Sequence, residues 1–159
     1  MDKTSTTEMC CPPFDPAPWD DQEVHWEGKR FLQDRVRCLF YVPLGFGRVM
    51  TRNMQRIEAA GAKPEDVIVL ADPSSPWHSD VFISTTKDVP GARMTTLTGD
   101  YESKVFEGPF KDFGKWMKQM QAHVQSKGKS SDKTLAYYTT CPRCAKRIGK
   151  NYVVLLAQT

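Results

Sequence analysis

The 159-residue chain lacks any apolar run long enough to cross a membrane: the longest, Val153-Val154-Leu155-Leu156-Ala157, falls far short of the ~20 residues a spanning helix needs. A membrane is therefore not an expected partner. It also lacks a block of one charge. Lys and Arg number 22 against 19 Asp and Glu, a net +3 with the two signs interspersed, so no phosphate-tracking surface is built and nucleic acid is not expected either. The residues ahead of Arg35 are too few and too proline-rich for a helix-turn-helix. Met1–Glu8 carries no apolar stretch behind a basic start, which argues against a secretory leader and for the cytoplasm. Cysteines number 5, and an odd count in a reducing compartment favours free or metal-bound thiols over disulfides.

What is present is enough for one folded domain: 40% apolar residues, 26% charged, and 8 Phe, 4 Trp and 5 Tyr. Residues 1–34 read as an N-terminal extension. Pro12, Pro13, Pro16 and Pro18 forbid helix there, while Phe14, Trp19 and Trp26 are too apolar to leave in water, so the segment is expected to pack on the body as a strap. Val36–Val42 is β-branched and aromatic, a strand ended by Pro43. Phe46, Val49, Met50, Met54 and Ile57 then form one helical stripe, stopped at Gly61. Val67–Leu70 and Asp80–Ser84 read as strands flanking a Pro- and Ser-rich loop.

The second half follows the same order. A strand at Tyr101–Phe106 breaks at Gly108-Pro109, a helix presents Phe110, Phe113, Met117, Met120 and Val124 and stops at Gly128, and strands follow at Leu135–Tyr138 and Tyr152–Ala157. Phe46 aligns with Phe113 and Gly61 with Gly128 at one common offset, which favours one strand-helix-strand-strand unit written twice, with halves at about 35–91 and 92–159. The expected fold is α+β, a mostly antiparallel sheet with two main helices and the strap, and residues 35–159 forming the body. A cleft between such halves suits a small, mostly apolar ligand.

Val105-Phe106-Glu107-Gly108-Pro109-Phe110, a strand running through Gly-Pro into an amphipathic helix, resembles the gyrase-inhibitor-like (GyrI-like) effector-binding domain. Ala71-Asp72-Pro73 followed by Ser79-Asp80-Val81-Phe82 is similar to its Asp-Pro loop and next strand, and the likeness spans about Arg35 to Gln158. The resemblance implies a duplicated domain that binds small apolar or cationic molecules between its halves. Some members of that family hydrolyse reactive small molecules there, and haem-binding SOUL proteins share a related fold. Cation-binding members commonly place a glutamate on the strand after the second helix, but here Thr134-Leu135-Ala136-Tyr137-Tyr138 holds no acid. The cysteine-bearing strap and loop resemble additions in a set of bacterial relatives labelled hydrolases.

Candidate chemistry lies in four places. Cys141 and Cys144, spaced Cys-x-x-Cys in a loop longer than its counterpart in the first half, could share a structural zinc with Cys10 and Cys11, or with His25 in place of Cys10; reduced thiols capping a turn, or a redox pair, are the alternatives. Glu107, at a strand end among Phe106, Phe110 and Tyr101, is a candidate acid, and the alternative is an exposed carboxylate favoured by a helix N-terminus. His78, near Asp72 and Asp80, is a candidate base or simply a solvated surface histidine. Tyr41, Trp77, Tyr101, Trp116 and Tyr138 are candidate cleft walls, some of which must be core. No haem is expected, since His123 is the only histidine on a predicted helix, and no nucleotide. The leading expectation is binding of a small apolar molecule. A hydrolase using Glu107 or His78 in the same cleft is the alternative, followed by a zinc-stapled interaction domain with Trp19 or Trp26 filling its own pocket.

Overall fold

The computed structural model describes residues 15–40, 42–65, 67–73, 75–139 and 152–159. Its first strand, β1 (Gln22–Leu39), is long enough to serve two neighbours. After it come β2 (Val42–Leu44), α1 (Phe46–Ala59), β3 (Val69–Asp72), β4 (His78–Ser84), β5 (Arg93–Glu107), α2 (Phe113–Ser126), β6 (Lys133–Tyr138) and β7 (Tyr152–Gln158). The sheet runs β2-β1-β4-β3-β6-β7-β5, and β5 also pairs with β1, closing six strands into a barrel in which every pairing is antiparallel. Exchanging β1, β3 and β4 for β5, β6 and β7 leaves this pairing pattern unchanged.

Closure works because β1 hydrogen-bonds to β5 from Gln22 to Gln33 and to β4 from Phe31 to Arg37. The ladder slips between Trp26 and Lys29, where Gly28 sits at φ 63 and its N–H donates to Thr98 Oγ1 at 2.8 Å. Such a bulge increases twist and lets one strand wrap around a small barrel.

Alternation along the strands splits the apolar residues into an inside and an outside. Phe31, Leu70, Phe82, Tyr101, Leu135, Val154 and Leu156 fill the barrel. On the outside, α1 covers Leu32, Val36, Val81 and Ile83 with Ile57 and the half-buried Phe46, Val49, Met50 and Met54, the stripe its spacing predicts. α2 covers Ala136, Val153, Leu155 and Ala157 with Trp116, Met120 and Val124. Asn53 of α1, fully buried, donates to Asp34 Oδ2 at 2.8 Å and to Val49 O at 2.9 Å, which fixes how α1 sits on β1.

Three expectations change. β1 begins at Gln22, well before the strand expected at Val36, so the boundary expected at residue 34 falls inside a barrel strand. The Gly28 bulge breaks the two-residue period that would have revealed it. Likewise β5 begins at Arg93, because Arg93-Met94-Thr95-Thr96-Leu97 pairs with β1 despite its polar composition. Asp15–Asp21 is a turn and not an extended strap: the N–H groups of Trp19 and Asp20 donate to Pro16 O at 3.0 and 2.9 Å. That turn sets Trp19 edge-on against Tyr137 at 5.2 Å, and Trp26 belongs to β1.

Gly108, between β5 and α2, lies at φ 149, and a Cβ there would come within 3.3 Å of Trp116 Cζ2. Gly108→Ala is therefore expected to lower stability by about 1–3 kcal/mol in a urea titration, while Gly114→Ala, in open space on α2, is expected to be neutral or stabilising. Equal midpoints for the two variants would contradict this packing.

Candidate functional site

The barrel interior offers little room for a guest. Trp26 lies 5.2 Å from Tyr101 and 5.8 Å from Phe31, and Trp19 closes against Tyr137, so two tryptophans occupy space that a ligand would need. Tyr101, a candidate cleft wall, is 2% exposed and part of this interior. The other candidate walls lie elsewhere. Trp116 is buried outside the barrel, stacked on Phe106 at 5.9 Å, and Tyr138 packs half-buried in the same outer cluster. Trp77 is exposed beside Phe40. Tyr41 lies outside the described residues, as do Cys10, Cys11, Cys141 and Cys144, and with them the zinc set.

The seam between the two helices has a low floor on the outer face, because Ala71 of β3 stands directly opposite Ala136 of β6. Phe46 at the start of α1 meets Tyr138 edge-on at 6.2 Å, joining the two outer clusters there. Burial pushes the Tyr138 phenol up to about 12, with the nearby Cys38 adding to the effect. Burial also raises the Cys38 thiol. Neither side chain is an ionised nucleophile at neutral pH.

Glu107 and His78 are not brought together. Glu107 is exposed where β5 ends opposite Tyr152, His78 is exposed where β4 begins opposite Arg37, and β4 and β5 are not neighbours in the sheet.

A more polar site lies where β1, β5 and the end of α2 meet. A groove of about 640 Å³ there is lined by Glu23, His25, Asp100, Glu102, Lys129 and Ser130 among others. Its anchor is Glu102, whose side chain is 1% exposed and accepts from Lys127 Nζ at 3.0 Å and Lys129 Nζ at 2.8 Å. Lys127 also reaches Asp21 at 2.8 Å, and Lys129 reaches Glu23 at 3.3 Å. Asp21, Glu102 and His123 hold ligand atoms within 4.8 Å of one another, but the Lys127 ammonium already occupies the place a divalent cation would take between the two carboxylates.

Across the groove, the β1–β5 register sets His25 opposite Asp100, and His25 Nδ1 lies 2.6 Å from Asp100 Oδ1. A carboxylate accepts, so Nδ1 carries the hydrogen and the neutral ring keeps its lone pair on Nε2. Imidazole held in that tautomer beside an open groove can take a proton from water. Another histidine–carboxylate contact among the described residues is His123 Nε2 to Asp21 at 3.2 Å, and its residues do not line the groove.

Comparison with known proteins places the chain in a family. A model of the bacterial hydrolase family matches residues 1–159. The chain belongs to that family. This bacterial hydrolase family member shares its fold with an uncharacterised conserved protein from Listeria innocua: 11% identity over 86% of this chain and 90% of that one, with a TM-score of 0.58. It is also similar to SAV2435, solved bound to tetraphenylphosphonium, at 12% identity over 86% of this chain and 92% of that one, with a TM-score of 0.47. No curated protein matches. Among the described residues, no helix is long and apolar enough to cross a membrane.

Sequence reasoning weighed His25 only as a zinc ligand and did not single out Asp100. The two are far apart in the chain, and only the barrel register joins them.

The groove's charges make acid stability informative. Desolvation pushes the Glu102 carboxyl up, but the hydrogen bonds and charges of Lys129 and Lys127 outweigh it and leave it below the ordinary glutamate value. The hydrogen bond from Lys127 lowers Asp21. Both carboxyls thus titrate lower in the folded chain than in the unfolded one. The stability they confer is complete above the unfolded values, about pH 4, and is lost as pH falls through the folded ones. Melting temperatures from neutral pH downward are expected to show the wild-type advantage over Glu102→Gln shrinking below about pH 4. A gap independent of pH would contradict the network.

Proposed function

We propose that this chain hydrolyses a small electrophilic molecule in the groove between β1, β5 and the end of α2, with His25 as general base and Asp100 as its orienting group. The observation that carries the reading is the 2.6 Å His25–Asp100 contact at the edge of an open groove, in a chain of the bacterial hydrolase family. In the step, His25 Nε2 takes a proton from water while the water oxygen bonds to the electrophilic carbon. The imidazolium then returns that proton to the departing oxygen as its bond to carbon breaks. Lys129, in the groove lining, places positive charge near the oxygen that gains negative charge. Glu23, Asp100 and Glu102 outnumber that one ammonium, which favours neutral or cationic substrates over anionic ones.

Kinship with the GyrI-like domains is part of the same reading, supported by the Gly108-Pro109 break between β5 and α2. The unchanged pairing pattern on exchange of halves supports one unit written twice. A second reading, binding of a small apolar molecule in the helix seam, is favoured by the Ala71–Ala136 floor beneath Phe46 and Tyr138. A ligand recovered unchanged by mass spectrometry after raising the melting temperature would support that reading over turnover.

Hydrolysis of p-nitrophenyl esters with neutral, cationic and anionic acyl groups tests the proposal. His25→Ala is expected to lower kcat/KM by about 100-fold or more, with a smaller loss in Asp100→Asn and an unchanged melting temperature in both. Full activity in His25→Ala, or loss in Glu107→Gln or His78→Ala instead, would move the chemistry out of this groove.

A further inference from the structure

The large hydrophobic side chains exposed among the described residues all gather at one end of the barrel: Leu39 at 51%, Phe40 at 68%, Leu44 at 51% and Trp77 at 55%. They are neighbours. Leu39 ends β1 opposite Val42, Phe40 follows it as the chain turns toward β2, Leu44 stands opposite Arg37 in that hairpin, and the Trp77 ring lies 5.2 Å from the Phe40 ring. The Cys38 N–H donates to Trp77 O at 2.8 Å, tying the β4 approach to the hairpin. Phe40 sits at φ 49, a left-handed conformation unfavourable for a residue with a side chain, so the tip holds strain while keeping an aromatic ring in water. An apolar patch so concentrated marks a contact surface.

The charges around it select the partner. Arg35 is paired with Asp80, and Arg52 with Asp34. Arg37 in the hairpin and Arg48 in the first turn of α1 are exposed and make no ion pair among the described residues. A second copy of the chain packed on this patch would bring two Arg37 and two Arg48 side chains into one interface, and that accumulation of like charge opposes association. An anionic bilayer offers what both features lack: an apolar boundary for Trp and Phe rings and phosphates for arginine.

We propose that the β1–β2 tip together with Trp77 docks on an anionic lipid surface, Leu39, Phe40, Leu44 and Trp77 entering the headgroup boundary and Arg37 and Arg48 meeting lipid phosphates. The sequence offers no spanning segment and raised no expectation of a membrane partner, but a shallow hairpin contact needs none. The docking is independent of the hydrolase reading, since none of its residues lines the groove.

Sedimentation of the full chain with phosphatidylcholine vesicles, with and without phosphatidylglycerol, tests it. The wild type is expected to pellet with the anionic vesicles and to be released by high salt. The double variant Phe40→Ser, Trp77→Ser is expected to bind about tenfold more weakly while still melting cooperatively as a folded chain, since both side chains are mostly exposed and outside the core clusters. Arg37→Gln with Arg48→Gln should remove the preference for anionic vesicles. No pelleting with either vesicle, or binding untouched by both double variants, would overturn the proposal. So would a concentration-dependent dimer that Phe40→Ser, Trp77→Ser abolishes in a chain that binds no vesicles, which would assign the patch to self-association.

Discussion

The molecule depends on one strand hydrogen-bonding to two partners. β1 gives its first part to β5 and its last part to β4, and the overlap at Phe31–Gln33 shuts the sheet into a barrel. Once closed, the sheet has one dry face and one face free to carry helices, and the six barrel strands expose no edge among themselves. Each helix then has one place to bury its apolar stripe. The bulge at Gly28 makes the double duty possible, because without its slip a strand this long would run straight off the barrel.

Closure also decides where chemistry can go. The interior is lined by aromatic and aliphatic side chains, with Trp19 and Trp26 packed into it, so the charged groups of this junction lie on the outer face and the ends. Glu102 shows how such a group is tolerated. Its carboxylate is almost fully buried beneath the end of α2, and two lysines from the following turn satisfy it, where an unpaired charge would be prohibitively costly. The same junction leaves His25 and Asp100 beside one another and open to water. An ion-pair network anchored on a buried carboxylate thus adjoins a solvent-accessible imidazole.

Both helices were legible in the chain. The stripe from Phe46 to Ile57 and the one from Phe113 to Val124 repeat at the helical period, and that period survives because each helix has a single buried side. β4, β6 and β7 could be read because they are short and rich in Val, Leu, Ile and Tyr. β1 and β5 were only partly visible. Their outer faces carry Glu23, His25, Asp100 and Glu102, and glycines interrupt their alternation, so local composition imitates a connecting segment. The candidate walls Tyr101, Trp116 and Trp77 were read as one set because aromatic character signals burial but not direction. Strand parity turns Tyr101 into the barrel, the stripe of α2 presses Trp116 onto the outer face of the sheet, and Trp77, just ahead of β4, stands in solvent.

By itself, the order of residues determined the class of architecture, the helical stripes and the absence of any long apolar span, since each of these is a local pattern of a few turns or a few pleats. Which residues meet was decided only by tertiary structure. His25 faces Asp100, Asp21 faces Lys127, and Phe40 faces Trp77 because barrel closure sets a register between distant stretches, and no local periodicity encodes that register.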